Sequence, residues 1–321
     1  MKIFVTRKIP EQGLEILRKH HKIEVNPYDR VLSKEEIIEG LKDKDGLLCL
    51  LTDNIDEDII KSEPKLKMIS NYAVGYNNID VKTATENKIP ISNTPGVLTD
   101  TTAEMAWALL FSVSRRIVEG DDFTRGGNFN GWAPLLMLGK DINQKTLGVI
   151  GTGRIGTAFA LKSKGFEMKV LYHDINKNEK LEKVLNAEKV NLKKLLKESD
   201  FISIHVPLIK ETHHLISKKE LNLMKKDAIL INTSRGPVVD EKALAQKLKE
   251  KGIFGAGLDV YEDEPKINKE LLKLNNVILQ PHSASATNDT RTKMSIIAAE
   301  NMIDGLDGKI PKNCINREVF N

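Results

Sequence analysis

The sequence predicts an α/β protein of two doubly wound units, each a parallel sheet covered by helices on both faces. Three observations carry that expectation. Between residues 2 and 92, short apolar stretches of strand character alternate with amphipathic helical ones. At residue 146 the alternation restarts and runs to residue 279. A G-x-G-x-x-G run, Gly151-Thr152-Gly153-Arg154-Ile155-Gly156, stands at a strand-to-helix junction of the second set. Strand and helix in alternation imply parallel pairing through crossover helices, with both sheet faces buried.

The first unit opens with a strand over residues 2–6. Residues 10–19 read as a helix with Pro10 at its start and Leu14, Ile16 and Leu17 turned inward. A strand over 22–25 follows, and Ser33 caps a helix carrying Ile37, Ile38 and Leu41. Strands are expected at 46–51, 66–70 and 89–92, with helices around 57–61 and 81–87 between them. The stretch 101–116 is helical and apolar around most of its circumference, which predicts burial between two bodies. Residues 121–140 hold Gly126, Gly127, Gly131, Gly139 and Trp132, and read as a loop carried over a surface or a partner. The second unit has expected strands at 146–150, 168–173, 201–206, 228–232, 255–260 and 277–279. Its helices include 155–164, 192–198 and 241–250, the last stopped by Gly252. A final amphipathic helix covers 289–306, and a short tail of strand or coil follows it.

Composition narrows the function classes. Hydrophobic residues make up 40% and charged residues 29% of the 321, as in a water-soluble globular protein. No apolar run approaches the roughly 18 residues of a membrane span, and the start of the chain reads as a strand, not as a signal peptide. The net charge of +4 is small, and lysines alternate with glutamates along solvated helix faces, which argues against a nucleic-acid partner. Cys49 and Cys314 form no disulfide framework, and Cys49, inside an apolar run, reads as a core residue. The expected location is the cytoplasm. His20-His21 and His213-His214 lack a carboxylate or cysteine at ligand spacing, so no metal site is expected.

The Gly-rich run has a physical reading. Gly151 permits a tight turn, Gly153 lets backbone approach a pyrophosphate, and Gly156 lets the helix pack close to the strand. The helix N-terminus, entered through Arg154 and Ile155, offers N–H groups and positive dipole to phosphates. Asp174 stands at the end of the next strand, 18 residues after Gly156. Its carboxylate suits the hydroxyls of an adenine ribose and repels a 2′-phosphate. The expected cofactor is therefore NAD, with NADH preferred to NADPH, although Lys177 and Lys180 nearby weaken that preference.

Three further strands end in polar residues: Arg235 after 228–232, Asp259 and Glu264 after 255–258, and His282 after 277–279. Ligands of doubly wound folds bind outside the carboxyl ends of the strands, so these segments converge on the pyrophosphate loop. Together they suit reduction of a 2-oxo acid. Arginine can hold a carboxylate and polarise the neighbouring carbonyl. Histidine can protonate the oxygen as hydride reaches the carbon, and a glutamate paired to the imidazole would orient it and favour its protonated form.

On these motifs the chain resembles the D-isomer-specific 2-hydroxyacid dehydrogenases. The likeness runs from Leu147–Gly156 through His205-Val206-Pro207-Leu208, Ile231–Gly236, Ala256–Glu262 and Glu264-Pro265 to Pro281–Ala286. It implies two Rossmann-like domains, a flavodoxin-like substrate domain over residues 1–98 and 289–321 and an NAD-binding domain over 99–288. It implies Arg235 in substrate binding, Glu264 as partner of His282, and His282 as proton donor. It also implies Thr102, Pro207, Thr233 and Asp259 along the cofactor, and Val74 and Gly75 in a loop whose amides hold the substrate carboxylate. The runs 97–104 and 125–127 look most like glyoxylate and hydroxypyruvate reductases. Asn77, where those reductases commonly carry Asp, and Ser283, where Ile is frequent, depart from the pattern. In the family the helix and loop around residues 107–138 also form a homodimer interface.

Other readings are a D-lactate, 2-ketogluconate or phosphite dehydrogenase. Formate enzymes carry Gln where Glu264 stands, which disfavours them. Outside enzymes, NAD-sensing corepressors share this fold and keep the same trio. The sequence shows no tails for recruiting partners, so the expectation is against a scaffold, and no added regulatory domain is seen.

Overall fold

The computed structural model describes residues Met1–Asn321. The chain divides into two compact units, Met1–Leu98 with Ala286–Asn321, and Thr99–Ser285. The return to the first unit falls at residue 286, slightly ahead of the 289 read from sequence.

The first unit carries β1 (Lys2–Val5), α1 (Glu11–His20), β2 (Lys22–Val25), α2 (Lys34–Leu41), β3 (Gly46–Leu50), α3 (Glu57–Ser62), β4 (Met68–Tyr72), α4 (Val81–Glu86) and β5 (Ile91–Ser92). Its strands lie parallel in the order β2-β1-β3-β4-β5, the flavodoxin-like arrangement that was expected. Ser33 accepts from the Glu36 N–H while Glu36 returns a bond to Ser33, so the predicted cap is a full capping box. β4 lies two residues beyond the expected 66–70, because Leu66 closes a turn onto Glu63 before the strand starts.

The second unit begins with α5 (Thr99–Ser114) and α6 (Ile117–Arg125). It continues with β6 (Thr146–Ile150), α7 (Arg154–Lys162), β7 (Lys169–His173), α8 (Glu179–Leu185), β8 (Glu188–Lys189), α9 (Leu192–Glu198), β9 (Phe201–Ile204), α10 (Lys218–Leu221), β10 (Ile229–Asn232), α11 (Glu241–Lys249), β11 (Gly255–Leu258) and β12 (Val277–Leu279). The sheet order is β12-β11-β10-β9-β6-β7-β8, all parallel, so the chain reverses direction of growth between β6 and β9. Side-chain alternation assigns the strands to two cores. Ile150, Leu171, Ile202 and Leu230 join one cluster, while Val149, Tyr172, Phe201, Ile229 and Ile231 join the other.

Two sequence expectations change here. α5 packs its apolar residues into the core of the second unit, with Trp107 stacked on Phe159 at 5.0 Å and donating its indole N–H to the Phe159 carbonyl. Glu104 and Ala108 on the opposite side are exposed, so this helix has a solvent stripe. Trp107, which the resemblance placed at a dimer interface, is therefore a core residue. The expected loop over 121–140 begins instead as α6, separated from α5 by Arg116 in the left-handed region at φ 52°. The glycines at 120, 126 and 127 concealed that helix in the sequence, and none of its residues is buried.

The chain then returns to the first unit through α12 (Asn288–Leu306), capped by Thr287. α12 crosses α1 so closely that a Cβ on Gly13 would lie 2.4 Å from the Ser295 carbonyl oxygen. Cys49 is a core residue of this unit, as read, and burial pushes its thiol well up. No helix of the chain is long and apolar enough to cross a membrane.

Candidate active site

Within the second unit, the reversal between β6 and β9 opens the strand ends where the Gly-rich turn sits. Gly151 has φ +87°, and an added Cβ would meet Val206 at 2.7 Å and the His205 carbonyl at 2.9 Å. A Cβ on Gly156 would fall 2.0 Å from the Gly151 oxygen, so α7 can enter this close only on glycine. Gly153 differs, since nothing lies within 4 Å of its Cβ position. No internal crowding demands glycine there, whereas a phosphate resting on the backbone would. Arg154 is exposed and Ile155 half-buried at the start of α7. Thr233, at the end of β10, has a buried hydroxyl with no partner inside the protein. An open Gly153 and an orphaned Thr233 hydroxyl fit a dinucleotide lying across these strand ends.

Asp174 follows β7 and already works within the fold. Its Oδ2 accepts from the Thr152 N–H at 2.6 Å and from the Thr152 hydroxyl at 3.1 Å, and its Oδ1 accepts from the Asn176 N–H at 2.9 Å. Burial alone would raise its pKa, but these N–H bonds outweigh burial and hold it below the ordinary carboxylate value. Capacity for ribose hydroxyls remains, since a carboxylate offers about four acceptor sites. Lys177 pairs with Glu182 at 3.0 Å and is engaged away from Asp174.

His282 and Glu264 are brought together. His282 Nδ1 lies 2.7 Å from Glu264 Oε2, with side-chain exposures of 25% and 29%. A carboxylate only accepts, so Nδ1 carries the proton and Nε2 is left to exchange one with a ligand. Burial would raise Glu264, but the His282 bond and charge, the Tyr261 N–H and Arg235 together hold it below its usual value. Arg235 lies in extended backbone just ahead of a short 3₁₀ turn at 236–238 and donates to the Ser234 carbonyl at 2.7 Å. Burial pulls its guanidinium down from its ordinary value, opposed by the Glu264 charge.

His282 itself has φ 51°, a conformation that costs a non-glycine residue about 1–3 kcal/mol. Asp259 holds it there. One Asp259 oxygen accepts the Ser283 N–H at 2.7 Å and the other the Ala284 N–H at 2.8 Å. Asp259 is fully buried, and burial raises its pKa against those bonds. The resemblance implies Asp259 beside the cofactor; within the fold its two oxygens also hold the histidine loop from beneath. Ser283 also finds a place, with its hydroxyl 3.4 Å from Asp259 Oδ1. Pro207 is exposed beyond β9, and Thr102 is buried in the first turn of α5. His205 has its Nε2 2.8 Å from the Ser203 hydroxyl, and burial lowers its pKa to about 3, so it stays neutral.

The first unit carries Val74 and Gly75 in the loop after β4. Three successive carbonyls there are tied into the fold: Ala73 to the Thr94 N–H at 2.8 Å, Val74 to the Asn93 amide at 2.7 Å, and Gly75 to the Asn71 amide at 2.9 Å. In trans peptides the N–H opposes the C=O, so the N–H groups of Val74, Gly75 and Tyr76 each point away from these partners. Such a row of amides suits an anion.

Sequence reasoning missed His214, which the fold pairs with Glu262. No group of three or more His, Cys, Asp or Glu side chains is placed to hold a metal ion. It also passed over Tyr261 and Gln280, which flank the Glu264 and His282 loops. Both stand at the same strand ends as the predicted trio, and that position was the available signal.

Comparison with known proteins gives the following likenesses. Residues 107–284 match the family described as D-isomer specific 2-hydroxyacid dehydrogenase, NAD binding domain. The chain is 50% identical over 323 residues to the glyoxylate reductase of Thermococcus litoralis, covering 99% of this chain and 98% of that one. A crystal structure of a protein from Thermus thermophilus superposes with a TM-score of 0.93 at 39% identity, covering 98% and 100%. The NADPH-dependent glyoxylate/hydroxypyruvate reductase of Sinorhizobium meliloti, solved with NADP and malonate, has a TM-score of 0.87 at 28% identity over 100% and 98% of the two chains.

Proposed function

The chain belongs to the D-isomer-specific 2-hydroxyacid dehydrogenase family, an NAD(P)-dependent oxidoreductase reducing small 2-oxo acids to 2-hydroxy acids, and we propose that it acts on glyoxylate and hydroxypyruvate with NADH. The observation that carries the chemistry is the 2.7 Å pair of His282 and Glu264, with the half-buried Arg235 electrostatically coupled to the glutamate. When bound, the reduced nicotinamide supplies a hydride to the carbonyl carbon. Arg235 holds the carboxylate and polarises the carbonyl. His282 Nε2 gives its proton to the carbonyl oxygen as the negative charge develops there, and Glu264 orients the ring through Nδ1. The product is the 2-hydroxy acid in its D form, with His282 left neutral.

The cofactor preference rests on Asp174, whose carboxylate is held ionised at the end of β7. Rates of NADH and NADPH oxidation over glyoxylate, hydroxypyruvate, pyruvate and 2-oxogluconate, with phosphite plus NAD in reverse, test the reading. Glyoxylate or hydroxypyruvate should give the highest kcat/KM, with NADH ahead of NADPH. Asp174→Ala should raise the KM for NADH and narrow the gap to NADPH, because a ribose acceptor and a repulsive charge go together. A wild type that prefers NADPH, or that works best on phosphite, overturns this assignment.

We further propose a cytoplasmic homodimer. Trp132 is 86% and Leu135 80% exposed, and Ile117, Phe129 and Leu138 in the same stretch of chain are exposed as well, more large apolar side chains than a solitary chain needs there. Light scattering should give twice the 36.0 kDa chain mass, and Trp132→Ser with Leu135→Ser should shift it toward the monomer. A wild-type monomer at micromolar concentration removes this part of the reading.

A further inference from the structure

Tyr261 touches all three loops that carry the proposed catalytic groups. It ends the run after β11 and is 5% exposed within the core. Its backbone N–H donates to Glu264 Oε1 at 2.9 Å, while the other oxygen of that carboxylate takes His282. Its hydroxyl donates to the Gln280 carbonyl at 2.8 Å, and the same carbonyl accepts the His282 N–H at 3.0 Å. Its own peptide lies against Gly236, directly after Arg235, so closely that a Cβ there would fall 1.8 Å from the Tyr261 carbonyl.

The next residue locks this arrangement. Glu262 accepts the Glu241 N–H at 3.0 Å and donates its own N–H to Glu241 Oε2 at 2.9 Å, and its carboxylate also pairs with His214. Tyr261 is thus fixed on its C-terminal side by a reciprocal pair of bonds to α11. It is fixed on its N-terminal side by the strand itself.

We propose that Tyr261 is the positioning residue of this site: it sets Glu264 and the His282 loop in one geometry and fixes both against the Arg235 turn. The inference rests on the assignment of His282 and Glu264 above. Burial, with the charges of Asp259, Glu264 and Glu241 adding to it, pushes the phenol well above its ordinary value, so it remains a hydrogen-bond donor throughout the working range. The Gln280 carbonyl, tied at once to Tyr261 and His282, cannot turn without moving the histidine away from Glu264.

Tyr261→Phe removes only the hydroxyl and keeps the ring in its packing. A net hydrogen bond of ordinary strength predicts a fall in kcat for reduction of about three- to tenfold. The KM for NADH should stay within about twofold of wild type, and the alkaline limb of the reduction profile should move to lower pH. In a His282→Ala background the same substitution should change kcat by less than about twofold, because residues acting as a unit are not additive. Equal factors in both backgrounds, or a wild-type rate and pH profile in Tyr261→Phe, overturn the proposal. Near wild-type turnover in His282→Ala alone would instead overturn the assignment of the proton donor, a separate and distinguishable failure.

Discussion

Replacing His282 by Ala is expected to lower kcat for 2-oxo acid reduction by about two to four orders of magnitude, the usual worth of a positioned proton donor. Binding of NADH should survive, since His282 bonds to Glu264 and to the Gln280 carbonyl and takes no part in the Gly-rich turn. Glu264→Gln tests the coupling. The imidazole bond and charge help hold the Glu264 carboxylate below its ordinary pKa against burial. Removing the negative charge makes the imidazolium less favourable, so the alkaline limb of the reduction profile should move to lower pH. Oxidation of the hydroxy acid needs the neutral imidazole and should lose less. The ion pair persists above the depressed Glu264 value and is lost as pH falls through it, so the difference between wild type and variant should shrink in acid. An unchanged profile in Glu264→Gln, or His282→Ala within tenfold of wild type, would remove the pair from the chemistry.

Much of this architecture was legible in the residues, for a physical reason. Parallel strands buried on both faces, such as β10 with Ile229, Leu230 and Ile231 in succession, are apolar along most of their length and stand out between polar helices. Gly151 and Gly156 were legible because their spacing answers to sterics, and the clashes a Cβ would make there are large. What the residues concealed depends on contacts between segments distant in sequence. α6 carries glycine and no buried side chain, so it has neither the periodicity nor the composition that marks a helix. The resemblance implied Asp259 only as a cofactor contact. Only the fold shows that the amides of Ser283 and Ala284 take both its oxygens. Tyr261 reads as one more core aromatic until Gly236, Glu264 and Gln280 are placed around it. The trio was legible as a set because each member ends a strand, and a doubly wound sheet sends all such ends to the same side.

Arg235→Lys should lower kcat/KM for the 2-oxo acid by roughly 10²–10³, although it conserves charge. Two effects add. A guanidinium can meet a carboxylate through two parallel N–H bonds, whereas an ammonium is a point charge. Each charge-assisted bond is worth about 1.5–3 kcal/mol, so losing one and weakening the carbonyl contact reaches the lower end of that range. Burial supplies the rest. The site already pulls the Arg235 guanidinium down from its ordinary value, with Glu264 opposing. Lysine starts about two to three units lower and is more strongly hydrated, so the same burial leaves its charged form less favoured. The loss should therefore be largest at alkaline pH, where the lysine sheds its proton, and should ease toward neutrality. NADH binding should be unchanged, because Arg235 lies apart from Gly153 and Asp174 in the chain of strand ends. Oxamate, which presents a carboxylate without a reducible ketone, separates the two duties. Weaker oxamate inhibition in step with the fall in kcat/KM assigns the loss to carboxylate binding, and unaltered inhibition assigns it to carbonyl polarisation. Turnover of Arg235→Lys within about twofold of wild type across the pH range would exclude Arg235 from both duties.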